Sequence, residues 1–174
     1  RYAANKEGSK HLFKDIIGQN YPKQIMINAV KSKRLSHAYI FLGKEGIGRK
    51  KFAIEFAKML NCVNFDYDNM DSCEKCASCI DINLNKNPDV NIIDVEKNVI
   101  SIEQIRKIIN DNAFTSFYDK YKIFIINNLE KMSDGASSAL LKILEEPTGN
   151  TIFILITSNI NAVFSTIKSR CQVV

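Results

Sequence analysis

No stretch of this 174-residue sequence approaches the roughly 20 consecutive apolar residues that a membrane-crossing helix needs. The first residues form no signal-peptide apolar region, so the chain is expected in the cytoplasm, with no membrane partner. Internal repeats and low-complexity tracts are absent too. Histidine is scarce, and neither His11 nor His37 sits in a pattern that suggests catalysis. Charge of one sign is not in large excess. The net charge of +5, from 24 basic and 19 acidic residues, permits nucleic-acid proximity but is ordinary for a solvated surface. What remains is a composition with 45% hydrophobic and 25% charged residues, enough for one domain with a single sizeable core.

The organising stretch is Gly43-Lys44-Glu45-Gly46-Ile47-Gly48-Arg49-Lys50. An apolar run, Ala38 to Leu42, leads into it, and a helical pattern of Phe52, Ala53, Phe56, Met59 and Leu60 leads out. Strand, glycine turn and helix are the setting of a phosphate-binding loop of the form G-x-x-x-x-G-K-[ST]. In such a loop backbone N–H groups and a lysine hold phosphates, and the last hydroxyl ligates magnesium. With Gly43 and Gly48 fixing the register, Arg49 takes the lysine place and Lys50 the hydroxyl place. The scaffold, including Gly46, is present and the metal ligand is missing. A helix N-terminus flanked by Arg49 and Lys50 still attracts anions, but a guanidinium is bulky enough to fill the pocket itself. The loop is therefore read as degenerate, with ATP expected not to be bound.

Along the chain, residues 1–10 show no period and are read as a flexible lead-in to a core spanning 11–174. A helix is expected from Asn20-Tyr21-Pro22, burying Ile25, Met26, Ala29 and Val30. Val90 to Val95 is strand-like, and Ser101-Ile102-Glu103-Gln104 reads as a capping box for a helix burying Ile102, Ile105, Ile108 and Ile109. Ile123 to Ile126 and Thr151 to Thr157 are continuous apolar runs of the kind buried on both faces of a sheet. Between them a helix is expected from Ala136 to Glu146, stopped by Pro147. Strands alternating with helices of this length predict an α/β fold with a parallel sheet covered on both sides.

Five cysteines in a cytosolic chain argue against a disulfide framework and toward a metal. Cys62, Cys73, Cys76 and Cys79 are spaced C-x10-C-x2-C-x2-C, which suits a closed tetrahedral zinc site of structural type. Disulfides or inert thiols are the alternative reading, and a nucleic-acid-binding zinc ribbon is a further one. Against the ribbon, Asp66, Asp68, Asp71 and Glu74 bring negative charge to the cluster. Cys171 is read as a small buried apolar residue and not a fifth ligand.

Several motifs, in order, resemble the AAA+ clamp-loader family of bacterial DNA polymerase III. These are Phe13-Lys14-Asp15-Ile16-Ile17-Gly18-Gln19, Ser36-His37-Ala38-Tyr39 with the loop at 43–50, Leu140 to Pro147, and Ser169-Arg170-Cys171. The resemblance runs from Leu12 to Val174. It implies a P-loop NTPase-like sheet of five parallel strands with a zinc module inserted at 62–79, followed in the family by a lid and a helical collar that lie outside this sequence. Within the family, Asn87 to Ile93 followed by Ser101 to Arg106 reads more like the delta-prime branch than the ATP-hydrolysing gamma/tau branch.

The resemblance also says what hydrolysis would require: an aspartate and a glutamate after the second strand, to hold magnesium and orient water. Asn127 and Asn128 stand at those places, and an amide is neither charged nor a base near neutral pH. Glu130 lies past the strand end. Thr157-Ser158-Asn159 falls where the family carries its sensor polar residues. Arg170 matches the arginine that projects toward ATP on the neighbouring subunit, where it stabilises charge on the transferred phosphoryl group. The expectation is a subunit that does not hydrolyse ATP itself, with gamma/tau and delta subunits, the sliding clamp and primer–template DNA as its partners. A gamma/tau-like ATPase is the alternative, and a zinc-bearing nucleic-acid module a third reading.

Overall fold

The computed structural model describes residues 13, 16, 18–110, 116–117, 120–147 and 149–174, with Ile109 and Asn110 in backbone only. The lead-in at 1–10, His11 and Leu12 lie outside them, as do Lys14, Asp15 and Ile17 of the opening motif. Five strands form one all-parallel sheet: β1 (Ala38–Leu42), β2 (Val90–Ile93), β3 (Lys122–Ile126), β4 (Thr151–Thr157) and β5 (Gln172–Val173). Their order is β2-β3-β4-β1-β5, so β4 separates the two strands that carry the phosphate-type loop and the asparagine pair.

Alternation along the strands builds two cores. Ala38, Ile40, Phe124, Ile126, Phe153 and Leu155 face one side, against α4 (Ile102–Asn110) and α5 (Asp134–Glu145). Tyr39, Phe41, Ile123, Ile125, Ile152 and Ile154 face the other, against α2 (Arg49–Asn61). Both faces are apolar because both are covered, which is why the sequence shows continuous runs there. Phe13 and Phe41 pack on Phe52 with ring centroids 5.0 and 5.1 Å apart, fixing α2 against the sheet next to the loop.

Most expected elements form where the pattern puts them. α1 spans Asn20–Lys31, but only Met26 on its inner face is fully buried; Ile25, Ala29 and Val30 are half-buried. The capping box closes: Gln104 Oε1 accepts from Ser101 N–H at 2.9 Å, and Ser101 Oγ accepts from Gln104 N–H at 3.4 Å. α5 begins two residues earlier than expected, since Ser133 accepts from Ala136 N–H and caps it. β2 stops at Ile93, where Asp94 turns its carboxylate to its own neighbour's N–H at 2.9 Å. Among the described residues no helix is long and apolar enough to cross a membrane.

Candidate functional site

The loop from Gly43 to Gly48 joins the carboxyl end of β1 to the N-terminus of α2. Gly46 and Gly48 have φ of 83° and 86°, which side chains rarely tolerate, and Gly48 is the residue before the helix. A Cβ on Gly43 would lie 2.5 Å from Ile47 Cδ1, so the loop closes tightly on its own isoleucine. The first turn of α2 holds no acidic residue and carries Arg49, Lys50 and Lys51. Cations there oppose the helix dipole, a local cost that calls for a negative group nearby.

That group is Asp94, at the end of β2. Its Oδ2 accepts from Lys50 Nζ at 2.9 Å and Asn127 Nδ2 at 3.1 Å, and its Oδ1 from Asn128 Nδ2 at 3.0 Å. Partial burial would raise its pKa, but the donors from Lys50, Asn127 and Val95 N–H outweigh this and hold it at about 2. The expected hydroxyl and acid-pair places are thus brought together, and all three present donors. Asp94 was invisible as a site residue in the sequence. Its signal, a carboxylate after a strand, acquires meaning only once β2 is known to lie beside β3.

Arg49 turns away from this cluster. It is 9% exposed, its Nη1 is buried with no hydrogen-bond partner, and it lines a cavity of about 70 Å³ with Gln19, Pro22, Ile47 and Val174. Gln19 Nε2 donates to Ile47 O at 2.7 Å and ties the opening motif to the loop. Glu130 is also engaged: it accepts from Thr157 Oγ1 and from Ser158 Oγ, both at 2.7 Å. Partial burial would raise its pKa, but the Ser158 and Thr157 hydroxyls bring it below the usual range. The sensor-like residues therefore hold Glu130 across to the end of β4, a bond the sequence did not announce.

The four cysteines meet. Their sulfurs all lie within 4.8 Å of one another, beside the about 3.8 Å expected for four thiolates about 2.3 Å from one tetrahedral ion. Backbone N–H groups of Cys73, Cys76 and Cys79 donate to the sulfurs of Cys62, Cys73 and Cys76 at 3.2, 3.3 and 3.5 Å. Burial would raise the Cys73 thiol, but N–H groups of Lys75 and Cys76 bring it to about 7. Burial pushes Cys62 up to about 11 and raises Cys79 as well. The donor set fits a thiolate-bound cation. The nearby acids are turned to structural work: Asp66 caps the turn at Asp68 and Asn69, and Asp71 accepts from Phe13 N–H at 2.9 Å.

Glu74, between Cys73 and Cys76, reaches Lys58 Nζ on α2 at 2.6 Å, and Glu55 reaches the same ammonium at 2.7 Å. The Lys58 side chain is fully buried. Burial pushes Glu55 up to about 7 in spite of Lys58. Ser72 Oγ and Asn83 Nδ2 complete the shell of Glu74 at 2.8 and 3.0 Å. The cysteine module is thus stapled to the helix that starts at the loop. The sequence signal was a lysine among Phe56, Ala57, Met59 and Leu60, where a core position would be apolar.

Arg170 lies just before β5. Its Nη2 meets Glu145 Oε1 at 2.7 Å and its Nη1 donates to Thr166 O at 2.9 Å, with about a third of the side chain exposed. Cys171 is half-buried against the α5-side core, and burial pushes its thiol up to about 12.

Residues 18–174 match the family model described as DNA polymerase III, delta subunit. DNA polymerase III subunit tau of Bacillus subtilis is 39% identical over 160 residues, covering 92% of this chain and 28% of that one. Subunit delta-prime of the same organism is 33% identical over 149 residues, covering 86% and 44%. The chain therefore spans between about a quarter and under half of these relatives, and identity does not single out one subunit. Among solved structures, a gamma subunit-related protein from Thermotoga maritima superposes with a TM-score of 0.58 at 23% identity, over 86% of this chain and 45% of that one. The RuvB Holliday junction branch migration motor of the same organism gives 0.56 at 13% identity, over 90% and 44%. At these identities the two structures speak for the fold alone. The chain belongs to the DNA polymerase III, delta subunit family, and so to the AAA+ proteins of the clamp loader.

Proposed function

We propose that this chain is the AAA+ core, residues 11–174, of a delta-prime-like clamp-loader subunit that does not hydrolyse ATP. One observation carries the reading: Lys50, Asn127 and Asn128, at the three places that would ligate magnesium and position water, all donate to Asp94. A divalent cation needs oxygen acceptors, and an amide cannot take a proton from water. The loop at Gly43, Gly46, Gly48, Arg49 and Lys50 is then architecture that holds α2, and ATP is not bound.

In this reading the subunit works in the cytoplasm with gamma/tau and delta subunits to load the sliding clamp on primer–template DNA. Its chemical contribution is Arg170, offered to ATP held by the neighbour. The surface pair with Glu145 does not oppose this, since exposed ion pairs contribute only about 0–1 kcal/mol. Cys62, Cys73, Cys76 and Cys79 would hold one zinc, whose role is to neutralise the thiolates and fix the module against α2. Support for a gamma/tau-like ATPase comes from the 39% identity to subunit tau. A magnesium-ATP hydrolysis assay on the purified protein separates the two readings: no turnover above background supports the first, and magnesium-dependent turnover the second.

A further inference from the structure

We propose that the outer edge of β2 is a docking site for an extended, acidic peptide segment of a partner protein, which would add to the sheet as a further strand. The proposal does not depend on which clamp-loader subunit the chain is. Among the described residues β2 ends the sheet and pairs only with β3. Ile123 N–H donates to Asp89 O at 2.7 Å and Asn127 N–H to Ile93 O at 2.9 Å, so residues 89, 91 and 93 turn their peptide groups to β3. By strand alternation Val90 and Ile92 turn theirs outward. Asn87 O takes the Val90 N–H, which leaves the Val90 carbonyl and both groups of Ile92 facing away from the sheet. No residue of β2 is fully buried.

A groove flanks this edge on each face. On the α2 side a cavity of about 760 Å³ is lined by Lys50, Lys51 and Lys86, with Asn87 and the side chains of Val90 and Ile92. On the α4 side a cavity of about 330 Å³ is lined by Asn91, Ile93, Lys107 and Lys122. Side chains of an added strand would enter the two grooves alternately, the usual source of specificity in strand addition. Lysines line both. Lys50 and Lys122 are paired with Asp94 and Asp89, whereas Lys86 and Lys107 form no ion pair among the described residues. Among the described residues Glu55 is the one carboxylate lining the first groove and is turned inward to Lys58, and none lines the second. A short edge rimmed with lysine resists pairing with its own copies, so the partner it admits is one of opposite charge.

The probe is a fluorescein-labelled peptide of repeated Glu-Glu-Val-Val, which puts glutamate on both faces of a strand, titrated with the intact protein by anisotropy. Saturable binding is expected, weakening with added salt. It should weaken about tenfold or more with Lys86→Glu and Lys107→Glu combined. It should be lost when the central amides of the peptide are N-methylated. Ile92→Pro removes an outward N–H without touching the bonds to β3 and should abolish binding. If that variant folds poorly, the N-methylated peptide carries the test alone. Absence of binding would overturn the proposal. So would equal binding of the N-methylated peptide, of a Lys-Lys-Val-Val peptide, or by the double glutamate variant, and the lysines would then be guards of the edge.

Discussion

Asp94 is the residue on which the nucleotide-site reading turns. Its folded pKa of about 2 lies below the ordinary value of 3.8, so its bonds stabilise the fold above pH about 4. That stabilisation is lost as pH falls from there through about 2. Asp94→Asn should therefore flatten the stability–pH profile in that acid range and leave the profile near neutrality unchanged in slope, as followed by urea denaturation at stepped pH. Arg170 belongs to the same scale and, in the proposed reading, acts on another chain. In a reconstituted loader, Arg170→Ala should slow hydrolysis at the neighbouring site by about 10³-fold while assembly is retained. Measured turnover of the ring would then lose that site's share, and unchanged turnover would remove Arg170 from the chemistry. The role proposed for this arginine rests on Ser169-Arg170-Cys171 and the family resemblance. Asp94 was not legible as a site residue, because its partners come from α2 and from the segment after β3, 33 or more residues away in sequence.

At the scale of elements, α2 does two jobs, with the loop at its start and the cysteine module on its flank. Lys58 joins them inside the protein, with both carboxylate partners nearly buried. Removing one member of such a buried network costs about 3–5 kcal/mol, whereas the half-exposed Lys50–Asp94 pair contributes about 0–1 kcal/mol. Chemical denaturation should thus rank Lys58→Met well below Lys50→Met in stability. Chelation should release about one equivalent of zinc per chain and lower the melting temperature, with the loss tracked by elemental analysis. A holding of less than half an equivalent after chelator-free purification would count against the metal. Local signals explain what the sequence revealed here: the Ser101–Gln104 box, the cysteine spacing and the proline stop at Pro147 are all short-range. Boundaries missed by two residues, at β2 and α5, were set by side chains bonding to nearby backbone, Asp94 in one case and Ser133 in the other.

Over the whole molecule, the parallel sheet was legible because apolar runs at β3 and β4 are buried on both faces. The family resemblance implied five parallel strands, but no local pattern gave their order, since β1 pairs with β4 and β5 across long stretches of chain. That order matters for function. It places the loop after β1, the asparagines after β3 and Asp94 after β2 at one end of the sheet, where open α/β sheets bind ligands. In this chain Lys50, Asn127 and Asn128 all donate to Asp94 there. The most direct test is ATP hydrolysis by the purified protein, with magnesium and without partner subunits. Turnover indistinguishable from background is expected. Magnesium-dependent hydrolysis that follows the protein through purification would contradict it.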